Sequence, residues 1–135
     1  MKYLSDSAKR TREIAAELVK NFKNGTTVCL DGEMGAGKTV FVQGCMEALG
    51  YDGRVTSPTF ALCNEYTVCD KTILHYDLCR ITDKDDLYSV GFYDSEADLI
   101  FIEWAQNECD GFENTVKINI SYGKNENERV IEINE

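Results

Sequence analysis

The chain has 135 residues, enough for one sheet with its own core but too few for a phosphate-binding domain plus a second independent domain. We therefore expect one domain over residues 1–135. The net charge of −10 disfavours direct binding to nucleic acid, so no DNA contact is expected. No apolar run reaches the length of a membrane span, and the N-terminus lacks the form of a signal peptide. We therefore expect a cytoplasmic protein that makes no membrane contact.

The first predicted element is a helix that begins after Ser7 as its N-cap and ends near Asn24-Gly25. Its apolar and small residues recur at helical spacing: Ala8, Thr11, Ile14, Ala15, Leu18 and Phe22. The next segment, Thr26 to Leu30, is β-branched and apolar enough for a buried strand.

That strand leads into a phosphate-binding P-loop of the form G-x-x-x-x-G-K-T, and a helical pattern follows it up to Gly50. Glycines let the loop's N–H groups approach phosphate oxygens, the lysine reaches the β- and γ-phosphates, and the threonine hydroxyl is placed to ligate Mg²⁺. The alternative is a glycine-rich turn with an exposed lysine, which the complete motif in this setting disfavours. The predicted nucleotide-binding residues here are Gly32, Glu33, Met34, Gly35, Ala36, Gly37, Lys38, Thr39 and Val40.

The rest of the chain is predicted to be mostly strands. Leu99–Ile102 is a continuous apolar run, as expected of a strand covered on both faces, and Asp83–Val90 resembles a short helix. Two antiparallel hairpins are predicted, the second with one solvated face: Phe60–Val68 with Lys71–Tyr76, and Thr115–Tyr122 with Arg129–Asn134. The order indicates an α/β P-loop NTPase-like domain with parallel core strands, antiparallel additions and few flanking helices. One thinly covered sheet face would favour a protein partner.

Two acidic residues follow strand-like segments, where a P-loop protein needs a carboxylate for Mg²⁺. Glu103 follows the fully apolar run and is the predicted metal-associated residue. Asp77 is expected farther from the metal or on a nucleotide-sensing loop. An ordinary solvated carboxylate is the alternative for each, and His75 is predicted to be structural.

The six cysteines lack the spacing of a zinc site or a disulfide framework. Cys29, Cys45 and Cys63 fall in strand-like or helical segments. We expect most of the cysteines to be small core residues in a reducing compartment.

Four motifs together resemble those of the TsaE family, formerly YjeE, the small P-loop ATPases of bacterial tRNA threonylcarbamoyladenosine synthesis. They occur in the family's order within about Ser7 to Asn107: the P-loop, Ser57-Pro58-Thr59-Phe60, His75-Tyr76-Asp77-Leu78-Cys79-Arg80 and Glu103-Trp104. Cys79 departs from the pattern, since the family has tyrosine there.

The resemblance implies roles for individual residues. Lys38 and Thr39 would bind phosphates and Mg²⁺, and Ser57 and Thr59 would belong to a switch near the γ-phosphate. Asp77 and Glu103 would be needed for activity, with Glu103 at the metal. Ser7 and Thr11 would lie near the adenine.

The resemblance also implies an activity and partners. The cofactors would be ATP and Mg²⁺, and ATP hydrolysis would reset a TsaB–TsaD heterodimer between turnovers. Contact with tRNA would be indirect, through that complex. Hydrolysis would be slow in isolation because no arginine finger is obvious, although Arg80 is a candidate within the chain. The alternatives are a small-molecule kinase and a nucleotide-dependent interaction switch.

Overall fold

The computed structural model describes residues 1–33, 35–56, 58, 63–78, 97–103 and 114–134. Within these ranges the chain forms two helices and seven strands. In chain order they are β1 (Lys2–Ser5), α1 (Ala8–Val19), β2 (Thr26–Gly32), α2 (Lys38–Ala48), β3 (Cys63–Val68), β4 (Lys71–Asp77), β5 (Leu99–Glu103), β6 (Thr115–Tyr122) and β7 (Arg129–Asn134).

The described strands form one mixed sheet in the order β1-β7-β6-β2-β5-β4-β3. The four central strands β6, β2, β5 and β4 are parallel to one another. Strands β1, β7 and β3 add to them in antiparallel pairings. This confirms the predicted α/β fold with a parallel core and antiparallel additions.

Strand β2, which carries the P-loop, lies in the middle of this sheet between β5 and β6. Every residue from Thr26 to Leu30 is buried, and so is every residue of β5. A strand buried on both faces needs a continuous apolar run, which explains the composition of both segments. The carboxyl ends of the parallel strands therefore meet around the P-loop.

Helices α1 and α2 pack on each other and on one face of the sheet. Their shared core contains Ile14 and Leu18 of α1 and Phe41 and Met46 of α2, all buried. Ser7 caps α1 as predicted, because its hydroxyl accepts a hydrogen bond from the Arg10 N–H at 3.1 Å.

Gly44 brings the two helices into close contact. A Cβ atom at Gly44 would lie 2.5 Å from the Arg12 carbonyl oxygen, so only glycine permits this approach. The two described helices are therefore in direct backbone contact at this point.

The opposite face of the sheet is buried at its centre and exposed toward β6. Cys29, Ile100 and Ile102 are at most 4% exposed, whereas Lys117 and Asn119 are exposed to solvent. The terminal hairpin therefore has one solvated face, as predicted. No described helix is long and apolar enough to cross a membrane.

The structure adds one strand that was not predicted and corrects one predicted boundary. Strand β1 was not predicted, since four residues are too few to establish an alternating pattern. Helix α1 ends at Val19 rather than near Asn24-Gly25. The next residues form tighter turns, in which the N–H groups of Asn21 and Phe22 donate to carbonyls three residues back.

The cysteines agree with the prediction only in part. Cys45 is a buried free thiol whose pKa is raised well above its usual value by burial, as expected of an inert core residue. Cys29 is disulfide-bonded, so the expectation of a reduced thiol is wrong for that residue. The predicted Asp83–Val90 helix and the first residues of the Phe60–Val68 strand lie outside the described residues.

Candidate nucleotide-binding site

The P-loop connects the end of β2 to the start of α2 and contains three glycines that its shape requires. At Gly32 a Cβ atom would overlap the carbonyl oxygen of Ile120 on the neighbouring strand β6. Gly35 and Gly37 have φ angles of 80° and 112°, in the region that side chains disfavour. These conformations turn the loop around the N-terminus of α2, where backbone N–H groups favour an anion.

Lys38 is the first residue of α2, and its side chain folds back over the loop. Its ammonium donates to the carbonyl oxygens of Gly32 at 2.5 Å and Glu33 at 3.4 Å. The residue is only 5% exposed, so its side chain is buried against the loop. A buried ammonium needs hydrogen-bond acceptors, and the loop carbonyls supply them.

Glu103, at the carboxyl end of β5, faces the next residue of the P-loop helix. The Thr39 hydroxyl lies 3.2 Å from each oxygen of the Glu103 carboxylate, which is 3% exposed. His75 Nε2 contacts one of these oxygens, Oε2, at 2.5 Å. The structure therefore brings the predicted metal-associated pair together and adds a histidine to it.

This donor set fits Mg²⁺. Thr39 and Glu103 offer hard oxygen ligands, and Mg²⁺ is usually held by one or two protein oxygens together with substrate phosphates and water. Lys38 precedes Thr39 at the start of α2, where phosphates would complete the coordination.

Asp77 lies directly opposite Glu103 in the register between β4 and β5. It is half-buried, whereas Glu103 is almost fully buried. Both carboxylates project from the ends of adjacent parallel strands. Glu103 is in contact with Thr39, which agrees with the assignment of Glu103 as the inner residue of the two.

The terminal hairpin contacts the other flank of the P-loop. The Arg129 guanidinium donates through Nε to the carbonyl oxygen of Ala36 at 3.1 Å. Its central carbon lies 4.3 Å from the centre of the Tyr122 ring, which is the geometry of a cation–π contact. The Tyr122 hydroxyl lies close enough to Gly35 to restrict any side chain there. Arg129 and Tyr122 thus support the middle of the loop, at Gly35 and Ala36.

Thr11 lies near this second flank, but its hydroxyl is occupied. It is 2% exposed and shares a hydrogen bond of 2.7 Å with Ser5, which pairs with Arg129 between β1 and β7. Contact of Thr11 or of Ser7 with adenine stays a prediction. Of the predicted nucleotide-binding residues, three lie outside the described part of the chain: Met34, Ser57 and Thr59. Cys79, Arg80 and Trp104 also lie outside it.

Three residues of this region were not assigned to it from the sequence. His75 had a weak signal, since it shares a strand face with Asp77 two residues later. Tyr122 also had one, because it ends a strand and ligands collect at the carboxyl ends of parallel strands. Arg129 gave no local signal, since it begins a strand and is 93 residues from Ala36.

Comparisons with known proteins identify the family of this chain. The sequence model of the family "Threonylcarbamoyl adenosine biosynthesis protein TsaE" matches residues 5–131. This chain belongs to the TsaE family.

Individual relatives agree with the family assignment. TsaE of Haemophilus influenzae is 38% identical over 81 residues, which cover 58% of this chain and 51% of that protein. TsaE of Rickettsia conorii is 36% identical over 106 residues, or 75% of this chain and 59% of that protein. The match thus spans between one half and three fifths of these curated relatives.

A solved structure shows the same fold. The crystal structure of Bacillus subtilis YdiB superimposes with a TM-score of 0.75 at 27% identity, covering 97% of this chain and 82% of that one. The family is associated with tRNA threonylcarbamoyladenosine biosynthesis, and its P-loop fold supports binding of a nucleotide.

Proposed function

We propose that this chain is the Mg²⁺-dependent ATPase of tRNA threonylcarbamoyladenosine biosynthesis, acting in the cytoplasm. In this proposal it binds a TsaB–TsaD heterodimer, and ATP hydrolysis resets that complex between turnovers. The observation that carries the proposal is the contact of Thr39 with a buried Glu103 beside the P-loop. A glycine-rich turn without a function would not need a buried carboxylate at this position.

The residues of the site then have separate roles. Lys38 exchanges the carbonyls of Gly32 and Glu33 for phosphate oxygens, which are better acceptors for an ammonium. The loop amides and the N-terminus of α2 bind the same phosphates. Mg²⁺, when bound with the nucleotide, would offset charge on the β- and γ-phosphates.

Hydrolysis is attack of water on the γ-phosphorus, with cleavage of its bond to the bridging oxygen and release of ADP and phosphate. Lys38 stabilises the charge that develops on the phosphate oxygens. Glu103 and Thr39 hold the metal side of the site. A partner or Arg80 would supply a further positive charge, so slow hydrolysis in isolation is expected.

The net charge of −10 supports the indirect role toward tRNA, because an acidic surface repels the phosphate backbone. A partner that supplies the basic surface fits this charge better than direct binding does. The exposed sheet face around Lys117 and Asn119 leaves room for such a partner.

The test is formation of threonylcarbamoyladenosine on tRNA over many turnovers with TsaB, TsaD and ATP present. We expect product beyond one turnover with wild type and none beyond the background with Lys38→Ala. Lys23→Ala is the control, since Lys23 is exposed before the start of β2, away from the P-loop at the strand's other end. Equal product with and without this chain would contradict the proposal.

Phosphate release is measured in the same reactions, with and without the partners. Release that increases with the partners supports the ATPase. Product formation that requires ATP binding without any phosphate release would instead identify a nucleotide-dependent switch.

A further inference from the structure

The Glu103 carboxylate is held from two sides by elements that are distant in sequence. Thr39 contacts it from the first turn of α2, and His75 contacts it from β4. Both His75 and Glu103 are almost completely removed from solvent, with exposures of 0% and 3%. Water therefore does not compete for the hydrogen bond between them, which strengthens it.

The sheet register makes this contact possible. His75 pairs with Phe101, and Asp77 pairs with Glu103, so His75 is the diagonal neighbour of Glu103 across β4 and β5. Residues two apart on a strand share a face, which places His75 and Glu103 on the same side of the sheet. Thr39 comes from the helix that packs on that side.

The imidazole makes the two carboxylate oxygens inequivalent. Thr39 is 3.2 Å from both oxygens, so its hydroxyl does not distinguish them. His75 contacts only Oε2. The orientation of the carboxylate is thereby set, with Oε1 left as the oxygen that can face a hydrated cation beside Thr39.

Packing alone does not explain a histidine at this position. Its second ring nitrogen, Nδ1, is buried without a hydrogen-bond partner among the described residues, which costs free energy. An apolar residue of similar volume, like Ile73 two positions earlier, would fill the space without that cost. The benefit of the histidine must therefore come from its contact with Glu103.

We infer that His75 is a positioning residue, which orients the Glu103 carboxylate so that Mg²⁺ is bound together with the nucleotide. The inference rests on the proposed function. It assigns to the histidine a role in metal-dependent nucleotide binding that goes beyond its structural role.

The experiment measures the affinity of a non-hydrolysable fluorescent ATP analogue in EDTA and in Mg²⁺. The metal benefit is the dissociation constant in EDTA divided by the dissociation constant in Mg²⁺. His75→Leu removes the donor, and His75→Gln places an amide N–H near the position of the imidazole Nε2. Thr26→Val is the control, since Thr26 is a buried polar residue at the opposite end of β2.

We expect His75→Leu to reduce the metal benefit about 10-fold, as is common when the partner of a metal-associated residue is lost. Its affinity in EDTA should stay at the wild-type value. His75→Gln should recover most of the benefit, and Thr26→Val should change neither affinity. In a Glu103→Gln background, His75→Leu should cause no further loss, because the histidine acts through Glu103.

Three results would overturn the inference. The first is an unchanged metal benefit in His75→Leu, and the second is an equal loss of affinity in EDTA and in Mg²⁺. The third is a loss of metal benefit from His75→Leu that is as large in the Glu103→Gln background as in the wild type. If His75→Leu does not fold, His75→Asn replaces it, because the shorter side chain does not reach Glu103. Wild-type protein that binds no nucleotide would refute the proposed function and this inference with it. A wild-type metal benefit that the His75 variants share would refute the inference alone.

Discussion

On one flank of the P-loop, Glu103 and His75 are almost completely buried, whereas on the other flank 43% of the Tyr122 surface is exposed. The buried flank joins a carboxylate, an imidazole and the Thr39 hydroxyl through direct contacts. The exposed flank joins a guanidinium to an aromatic ring and to a backbone carbonyl of the loop. The buried flank comes from the carboxyl ends of β4 and β5 and the first turn of α2, and the exposed flank comes from the end of β6 and the start of β7.

The difference indicates a division of tasks. Contacts in a dry environment depend strongly on geometry and charge, so the buried flank suits the orientation of a metal and its phosphates. Contacts exposed to water are weaker and tolerate change, so the exposed flank suits support of the loop. Substitutions on the first flank should alter metal dependence, and those on the second should alter nucleotide affinity alone.

The largest effect is expected from Glu103→Ala. Loss of the buried carboxylate should lower Mg²⁺-dependent phosphate release about 100-fold, while nucleotide affinity in EDTA changes little. Phosphate release and nucleotide titration measure the two quantities, and Glu17→Ala at an exposed position of α1 is the control. Equal loss of binding with and without metal would place Glu103 in a purely structural role.

A smaller but still large effect is expected from Gly32→Ala at the base of the loop. The added Cβ would overlap the Ile120 carbonyl, and overpacking of this kind lowers the free energy of unfolding by about 1–3 kcal/mol. Because Gly32 begins the P-loop, a shift of its backbone would displace the loop, and nucleotide affinity in EDTA should fall too.

Gly25→Ala is the matched control for this substitution. Gly25 also has a positive φ angle, of 87°, but a Cβ there would meet nothing within 4 Å. Chemical denaturation should show a smaller loss, and nucleotide affinity should not change. Equal effects of the two substitutions would mean that backbone conformation, and not the contact with β6, limits Gly32.

Arg129→Ala tests the exposed flank. It removes the hydrogen bond to Ala36 and the contact with Tyr122, so nucleotide affinity should weaken by about 1 kcal/mol, or roughly fivefold. The ratio of affinities in EDTA and Mg²⁺ should stay at its wild-type value. A change in that ratio would contradict the separation of the two flanks.

The smallest effect is expected from Tyr122→Leu, because cation–π contacts at exposed sites contribute about 0.5–1 kcal/mol. Tyr122→Phe keeps the ring face and should retain more of the affinity than Tyr122→Leu. Titration of both variants with the nucleotide measures the difference. A larger loss in Tyr122→Phe than in Tyr122→Leu would show that the hydroxyl, and not the ring, is important.

The sequence alone determined the parts of this protein whose signals are local. The P-loop is eight consecutive residues between a strand and a helix, and the β5 strand is one uninterrupted apolar run that ends at Glu103. Such patterns report burial and turn geometry directly, because each depends on neighbours in the chain. The hairpins and the Ser7 cap were predictable for the same reason.

Only the tertiary structure decided which of these elements meet. Alternation along β4 places His75 and Asp77 on one face, but the pairing with β5 determines that His75 contacts Glu103. Likewise, Arg129 reaches Ala36 only because β6 pairs beside β2 and β7 folds back on it. Strand order and register arise from packing between distant segments, so the two flanks of the P-loop could not be derived from local patterns.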